Sequence, residues 1–377
     1  MAKTVTVDVK DRDLLGALRG FLTAVLAQEE ISAILVPWRL PMKNVVMPTL
    51  VTDPALMDRA DPLAPAFPIN GAKLASRLTR KASGGRIAAV MRPCEIRAFT
   101  ELVKLKQGSA EDLVIIGIDC LGAFDNSDFT KWAEENNGDG SQRFAAQVLA
   151  GETTGPDLAP ACRICEFPVA SGADISVALY GVDTGSRILA IGQSAAGDAL
   201  LSSLGLADAK TPPAREQAVT ALVDGRITAR DRLFAETREA TDDLEKLTGY
   251  LAGCVNCYNC RVACPVCYCK ECVFVTDVFN HEPLQYLRWA ERKGAVKMPT
   301  DTVFYHLTRL AHMSTACVGC GQCSNACPND IPVMELFRTA AHAVQAAFNY
   351  EAGRSPEEKP PLSEFREKEF EEVVGMA

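Results

Sequence analysis

No stretch of this chain approaches the ~18 consecutive apolar residues that a spanning helix needs. Its start, Met1-Ala2-Lys3-Thr4-Val5-Thr6-Val7-Asp8, has no apolar signal-peptide core. A membrane span is not expected, and the expected compartment is the cytoplasm. Basic residues are not in excess either. Lys and Arg number 39 against 48 Asp and Glu, a net charge of −9, whereas nucleic acid or an anionic membrane surface would call for a basic face. Also missing are a P-loop, a G-x-G-x-x-G turn and a Ser-His-Asp order, so no phosphate cradle or hydrolytic triad is legible.

What the chain does have is cysteine. There are 15 in 377 residues, and without a secretion signal they are expected to be reduced thiols kept for metals. Eight fall in two runs, Cys254-x2-Cys257-x2-Cys260-x3-Cys264-Pro265 and Cys317-x2-Cys320-x2-Cys323-x3-Cys327-Pro328. Each is the bacterial ferredoxin run, in which three closely spaced thiolates wrap one 4Fe-4S cube and the fourth ligates its neighbour. A loop advancing three residues per ligand curls thiolates around three corners of a cube, and the proline that follows is expected to open a helix. Zinc sites more usually come as separated C-x2-C pairs. Two linked cubes are therefore expected.

A hydrophobic content of 48% allows a full core and two or three domains in a chain of this length. The first ~85 residues suggest α/β structure, with a helical pattern over Leu14–Leu26 and a strand at 33–36. From Pro41 to Pro68 six prolines predict loop and edge structure. Lys73, Arg77, Arg80 and Lys81 have near-helical spacing and read as a solvated basic face, or as a face for an anionic ligand. A β-α-β unit follows: a strand over 86–91, a helix from Glu95 to Lys106, and a strand over 113–118. Both strands are continuous apolar runs, as in parallel strands buried on both faces. Cys94 and Cys120 sit just past their carboxyl ends, where open α/β sheets bind ligands. Cys162-x2-Cys165 and a hairpin made of 173–181 and 187–191 come next. With Cys94 and Cys120 that pair makes four cysteines outside the runs, enough for a further cube; the alternative is that Cys94 and Cys120 are small buried residues. Residues 205–250 read as helical, with a break at Gly225 and a stop near Gly249.

Arg92-Pro93-Cys94-Glu95-Ile96, the strand ending in Gly117-Ile118-Asp119-Cys120-Leu121-Gly122, and Cys162-x2-Cys165 followed by Ala173-Asp174-Ile175-Ser176-Val177 resemble the beta subunits of coenzyme F420-reducing hydrogenases and formate dehydrogenases. The resemblance spans about residues 10–250. It implies an α/β domain with a mainly parallel sheet over 1–250, holding flavin adenine dinucleotide (FAD) and an iron–sulfur cluster. Arg92, Pro93, Glu95 and Gly122 are the candidate flavin contacts. It also implies electron exchange with partner subunits of a redox complex and with a soluble carrier: a deazaflavin, NAD(P)H or a ferredoxin.

The 52 residues between the runs read as helices over 281–292 and 301–313, the second with Val303, Phe304, Leu307, Leu310 and Ala311 on its apolar stripe. Residues 331–337 begin another helix with proline near its start. This layout over 251–346 resembles the all-α helical ferredoxin module of fumarate reductase iron–sulfur subunits and heterodisulfide-reductase-type proteins. That resemblance implies a crossed ligand set, with Cys254, Cys257, Cys260 and Cys327 on one cube and Cys317, Cys320, Cys323 and Cys264 on the other. Cys267, Cys269 and Cys272 are one ligand short of a further cube, and zinc completed by His281 is the alternative. His306, His312 and His342 read as surface or packing residues, and Tyr286, Trp289, Phe304 and Tyr305 as core. Residues 347–377 form a charged tail, expected to be an extended arm over a partner or disordered. The rival to a flavin-bearing subunit is a non-catalytic iron–sulfur relay, and a zinc-stabilised scaffold is the third possibility.

Overall fold

The computed structural model describes residues 3–41, 45–81, 84–136, 139–152, 155–276, 282–293 and 302–364. Its centre is a seven-stranded sheet of β1 (Thr4–Asp8), β2 (Ile31–Arg39), β3 (Val46–Val51), β4 (Arg86–Met91), β5 (Leu113–Ile118), β6 (Ile175–Ala178) and β7 (Arg187–Gly192), in the order β1-β7-β6-β5-β4-β2-β3. The central strands β2, β4, β5 and β6 run parallel, and antiparallel β3 and the β7-β1 pair flank them. The expected α/β class and the 173–191 hairpin are both present. Ala88 and Val90 enter one core layer with helix Leu14–Leu26, while Ile87, Ala89 and Met91 enter the other with helix Pro93–Lys104. This alternation, buried on both faces, is why the strands read as unbroken apolar runs.

Three expectations need correction. The proline-rich segment includes a regular strand, β3, whose Pro48 faces Pro37 of β2; it fits because β3 is an edge strand, where a missing N–H leaves no ladder bond unmade. Helix Pro213–Ala240 continues through Gly225 without a break. Neither Pro265 nor Pro328 opens a helix. The helix after the second run spans Val333–Ala347, with Pro332 at its N-cap.

The helix after β4 begins at Pro93, not Glu95, so Cys94 lies in its first turn. Glu95 closes a capping box on the backbone N–H of Arg92 (2.8 Å). That helix covers one face of the sheet, while the helices following β5, Asn126–Glu135 and Gly140–Leu149, pack into the core layer of the other face. The chain therefore diverges beyond the ends of β4 and β5, and the crevice so made is the position that open sheets offer to ligands.

The C-terminal helices dock on this domain through buried polar contacts. Gln322 Nε2 and Asn325 Nδ2 donate to Phe67 O (2.7 and 3.0 Å), Arg97 Nη1 donates to Val318 O (3.2 Å), and Arg338 pairs with Glu166. Lys73, on the expected basic face, donates to Val262 O at 2.6 Å. Part of the expected arm lies on its own chain: Tyr350 Oη and Gly353 N both donate to buried Glu101 (2.7 and 2.6 Å). Residues 365–377 lie outside the described residues. Among the described residues no helix is long and apolar enough to cross a membrane.

Asp119, at the end of β5, accepts two bonds from Arg215 (2.5 and 3.0 Å) and the backbone N–H groups of Leu179 and Tyr180, with its side chain fully buried. Removing one partner leaves an uncompensated buried charge. Arg215→Ala is expected to cost ~3–5 kcal/mol, seen as an earlier midpoint in anaerobic urea denaturation; an unchanged midpoint would show that the pair is dispensable.

Candidate metal centres

The first run bends tightly because Asn256 and Tyr258 hold positive φ (48° and 62°). This brings Cys254, Cys257 and Cys260 around one cavity, and Cys327 of the second run completes its wall. Cys254 and Cys260 are buried, whereas Cys257 is exposed. In the second run Gly319 and Gly321 take φ of 69° and 78°, which favours glycine. A Cβ on Gly321 would stand 2.5 Å from Ala161 Cβ, so the loop also needs glycine to lie against the α/β domain. Burial raises the pKa of Cys317, Cys320 and Cys323, and the nearby Cys264 thiol raises each further. Cys264 of the first run thus lies near the three thiols of the second.

A third group lies in the crevice beyond β4 and β5. Cys94 from the helix first turn, Cys120 after β5, and Cys162 and Cys165 at helix Pro160–Arg163 line one cavity, together with Cys320 of the second run. Burial is the main cause that pushes the thiols of Cys94, Cys120 and Cys162 up, Cys162 to about 12. Loss of the proton there is coupled to ligation, because a buried thiolate needs a cation beside it. Four sulfurs line one cavity at two of these positions, and Cys317, Cys320 and Cys323 with nearby Cys264 make a third set of four, the donor number that a 4Fe-4S cube requires. The residues fit the group.

The three positions adjoin in sequence. Cys320 is common to the walls of the crevice cavity and the second-run group, and the latter meets the first-run group where Cys323 packs against the cluster of Cys260 and Tyr305. Cys267, Cys269 and Cys272 are less concentrated. Cys267 lies beside Cys264, Cys269 is exposed, and Cys272 packs near Cys260 and Phe274. Among the described residues no three His, Cys, Asp or Glu side chains close on a single metal ion; His281 lies outside the described residues.

Helix Thr302–Met313 turns the opposite side from the one expected. Thr302, Tyr305, His306, Arg309 and Met313 are buried, while Phe304 and Leu307 are 56% and 44% exposed. The buried side chains supply polar contacts to the first run: His306 Nε2 stands 3.4 Å from Cys254 Sγ, Tyr305 Oη 3.5 Å from Cys260 Sγ, and Arg309 Nη1 donates to Cys260 Sγ at 3.0 Å. Burial first, and then Arg309, lowers the His306 pKa to about 4. Residues 302, 305, 306, 309 and 313 share one helix face, a signal that the sequence carries but that the hydrophobic stripe outweighs. His312 is exposed and His342 packs on Phe234.

The candidate flavin contacts stand at the wall of the crevice cavity or beside it, with much of their polarity used internally. Arg92 Nη2 donates to Ala64 O and Ala66 O (2.8 and 2.5 Å), and the Glu95 carboxylate accepts from Gly71 N and Arg92 N (2.6 and 2.8 Å). Pro93 is the first helical residue, and Gly122 has φ 100° against Leu158.

Residues 84–210 match the family described as the C terminus of the beta subunit of coenzyme F420 hydrogenase/dehydrogenase, and residues 312–333 match the 4Fe-4S binding domain. The resemblance is borne out over residues 84–210, which match that beta-subunit family. The 4Fe-4S domain spans the second run, so the protein is an iron–sulfur protein. The F420-dependent formate dehydrogenase subunit beta of Methanocaldococcus jannaschii is 26% identical over 334 residues, covering 81% of this chain and 83% of that protein. The F420-dependent formate dehydrogenase 1 subunit beta of Methanococcus maripaludis is 26% identical over 307 residues, 74% of this chain and 75% of that one. A chain in the solved F420-reducing [NiFe] hydrogenase complex of Methanosarcina barkeri superposes with a TM-score of 0.45 at 16% identity, over 64% of this chain and 94% of its own.

The crossed ligand set that the resemblance implies has a direct consequence. If Cys317 and Cys264 serve one cube, Cys317→Ser combined with Cys264→Ser is expected to remove about four irons, the same loss as Cys317→Ser alone. An uncrossed arrangement would lose about eight, and iron and acid-labile sulfide assays on anaerobically purified protein separate the two.

Proposed function

We propose that this chain is the flavin-bearing iron–sulfur subunit of a multi-subunit oxidoreductase, exchanging electrons between a soluble two-electron carrier and partner subunits. The observation that carries the reading is the adjoining series of three four-thiol groups, which begins in the ligand crevice of the sheet and ends at exposed Cys257. Such a series suits electron passage across the molecule. FAD and the cubes together would supply the conversion between an electron pair and single electrons, the cubes at potentials set by hydrogen bonding and burial. The names of the formate dehydrogenase relatives favour coenzyme F420 as the carrier.

A cleft of about 500 Å³ beside Cys317 has the size for a nucleotide-type ligand. Arg97, Arg230, Arg338 and Arg354 line it; Arg230 and Arg338 pair with Glu166 and Arg354 with Glu358, which leaves Arg97 as the lining arginine without a carboxylate partner among the described residues. Arg97 is buried, stacks 3.5 Å from the Phe167 ring centre, and has an Nε without a partner. In this reading the arginines hold phosphate groups, and Phe167 and Val318 offer apolar surface to a ring next to the second-run group. The walls of the crevice cavity, Arg92, Pro93 and Gly122, would then serve the third cube, while Glu95 fixes the helix start.

Reconstitution with FAD under anaerobic conditions tests this. The holo-protein is expected to retain FAD and to be reduced by reduced F420 in preference to NADH. Arg354→Ala, at the cleft mouth, is expected to raise the FAD dissociation constant about tenfold, the loss of one charge-assisted bond. Iron-loaded protein that binds no FAD would leave a pure relay. FAD bound with unchanged affinity in Arg354→Ala would move the flavin away from the cleft.

A further inference from the structure

Arg309 is buried, 4% exposed, in the middle of helix Thr302–Met313. Burying a guanidinium is unfavourable unless an anion compensates it, yet no carboxylate among the described residues pairs with it. Its partners are sulfur, a carbonyl and rings. Nη1 donates to Cys260 Sγ (3.0 Å), Nη2 to Cys260 O (3.2 Å), the Phe337 and Tyr305 ring centres stand 4.6 and 5.5 Å from Cζ, and Nε has no hydrogen-bond partner. Cys323, from the other four-thiol group, packs against the same cluster of Cys260 and Tyr305 that holds the guanidinium. With the side chain this buried and flanked by the Phe337 and Tyr305 rings, the compensating charge is left to the thiolates beside it.

We propose that Arg309 is a positioning residue shared by two cubes, the common countercharge that holds both at higher reduction potential and acts most strongly on the cube ligated by Cys260. This rests on the iron–sulfur reading given above. A cube bearing four thiolates is net negative and gains one more negative charge on reduction, so a fixed cation and an N–H···S bond stabilise the reduced form more than the oxidised form. Since the guanidinium bonds Cys260 and Cys323 packs against the same cluster, it acts on both potentials, and only the Cys260 cube has the direct bond.

Redox titration of the full chain followed by electron paramagnetic resonance, with iron counted on the same samples, tests this in Arg309→Lys and Arg309→Gln. Arg309→Gln is expected to keep its iron and shift both midpoints to more negative potential, one of them further. Arg309→Lys keeps the charge but loses the planar fork, and is expected to show a smaller shift, confined largely to the Cys260 cube. Full iron with unchanged midpoints in both variants would overturn the proposal. Loss of iron in Arg309→Gln with unshifted midpoints in Arg309→Lys would also overturn it, since Arg309 would then be structural only. A parent protein without reducible 4Fe-4S signals would instead refute the iron–sulfur reading, a separate result.

Discussion

The fourth cysteine of each C-terminal run stands with the other run, and much of the C-terminal half is arranged around that exchange. Cys327 lines the cavity of Cys254, Cys257 and Cys260, while Cys264 acts on Cys317, Cys320 and Cys323. Two loops more than fifty residues apart must therefore lie side by side, with helices Pro283–Lys293 and Thr302–Met313 in the chain between them. Helix Thr302–Met313 returns across them, and its buried polar face supplies donors to sulfur. An apolar face would pack there as well, but it would leave anionic clusters without hydrogen bonds in a low-dielectric interior.

That pair of loops is set against the α/β domain at its functional end. Gly321 packs on Ala161, next to Cys162, and Cys320 reaches into the crevice cavity of Cys94, Cys120, Cys162 and Cys165. The divergence of the chain after β4 and β5 makes the crevice, and the docked second run closes it. The bonds from Gln322 and Asn325 to Phe67 O and the Arg338–Glu166 pair hold this contact. A parallel-sheet crevice and a ferredoxin loop thus become neighbours.

Much of this is legible in the sequence because it depends on local spacing or on unbroken apolar runs. The cysteine runs, β4, β5, helix Leu14–Leu26 and the β6-β7 hairpin are of that kind. Strand β3 is hidden because proline is a breaker everywhere except at an edge, and being an edge is a tertiary fact. Helix Thr302–Met313 reads with the wrong face inward because hydrophobicity predicts which side packs on protein, not which side meets charged ligand thiolates. Arg309 is inconspicuous for the same reason: its countercharge comes from residues 49 positions away or arriving from the other run.

The central claim is that twelve of the fifteen cysteines hold three 4Fe-4S cubes in one adjoining series. The most direct measurement is the metal and sulfide content of anaerobically purified full-length protein, with Mössbauer spectra of the same sample. The account predicts about twelve irons and as many sulfides per chain in 4Fe-4S form, plus any metal taken by Cys267, Cys269 and Cys272. About eight irons with Cys94, Cys120, Cys162 and Cys165 free to alkylation, or zinc in place of reducible iron, would contradict it.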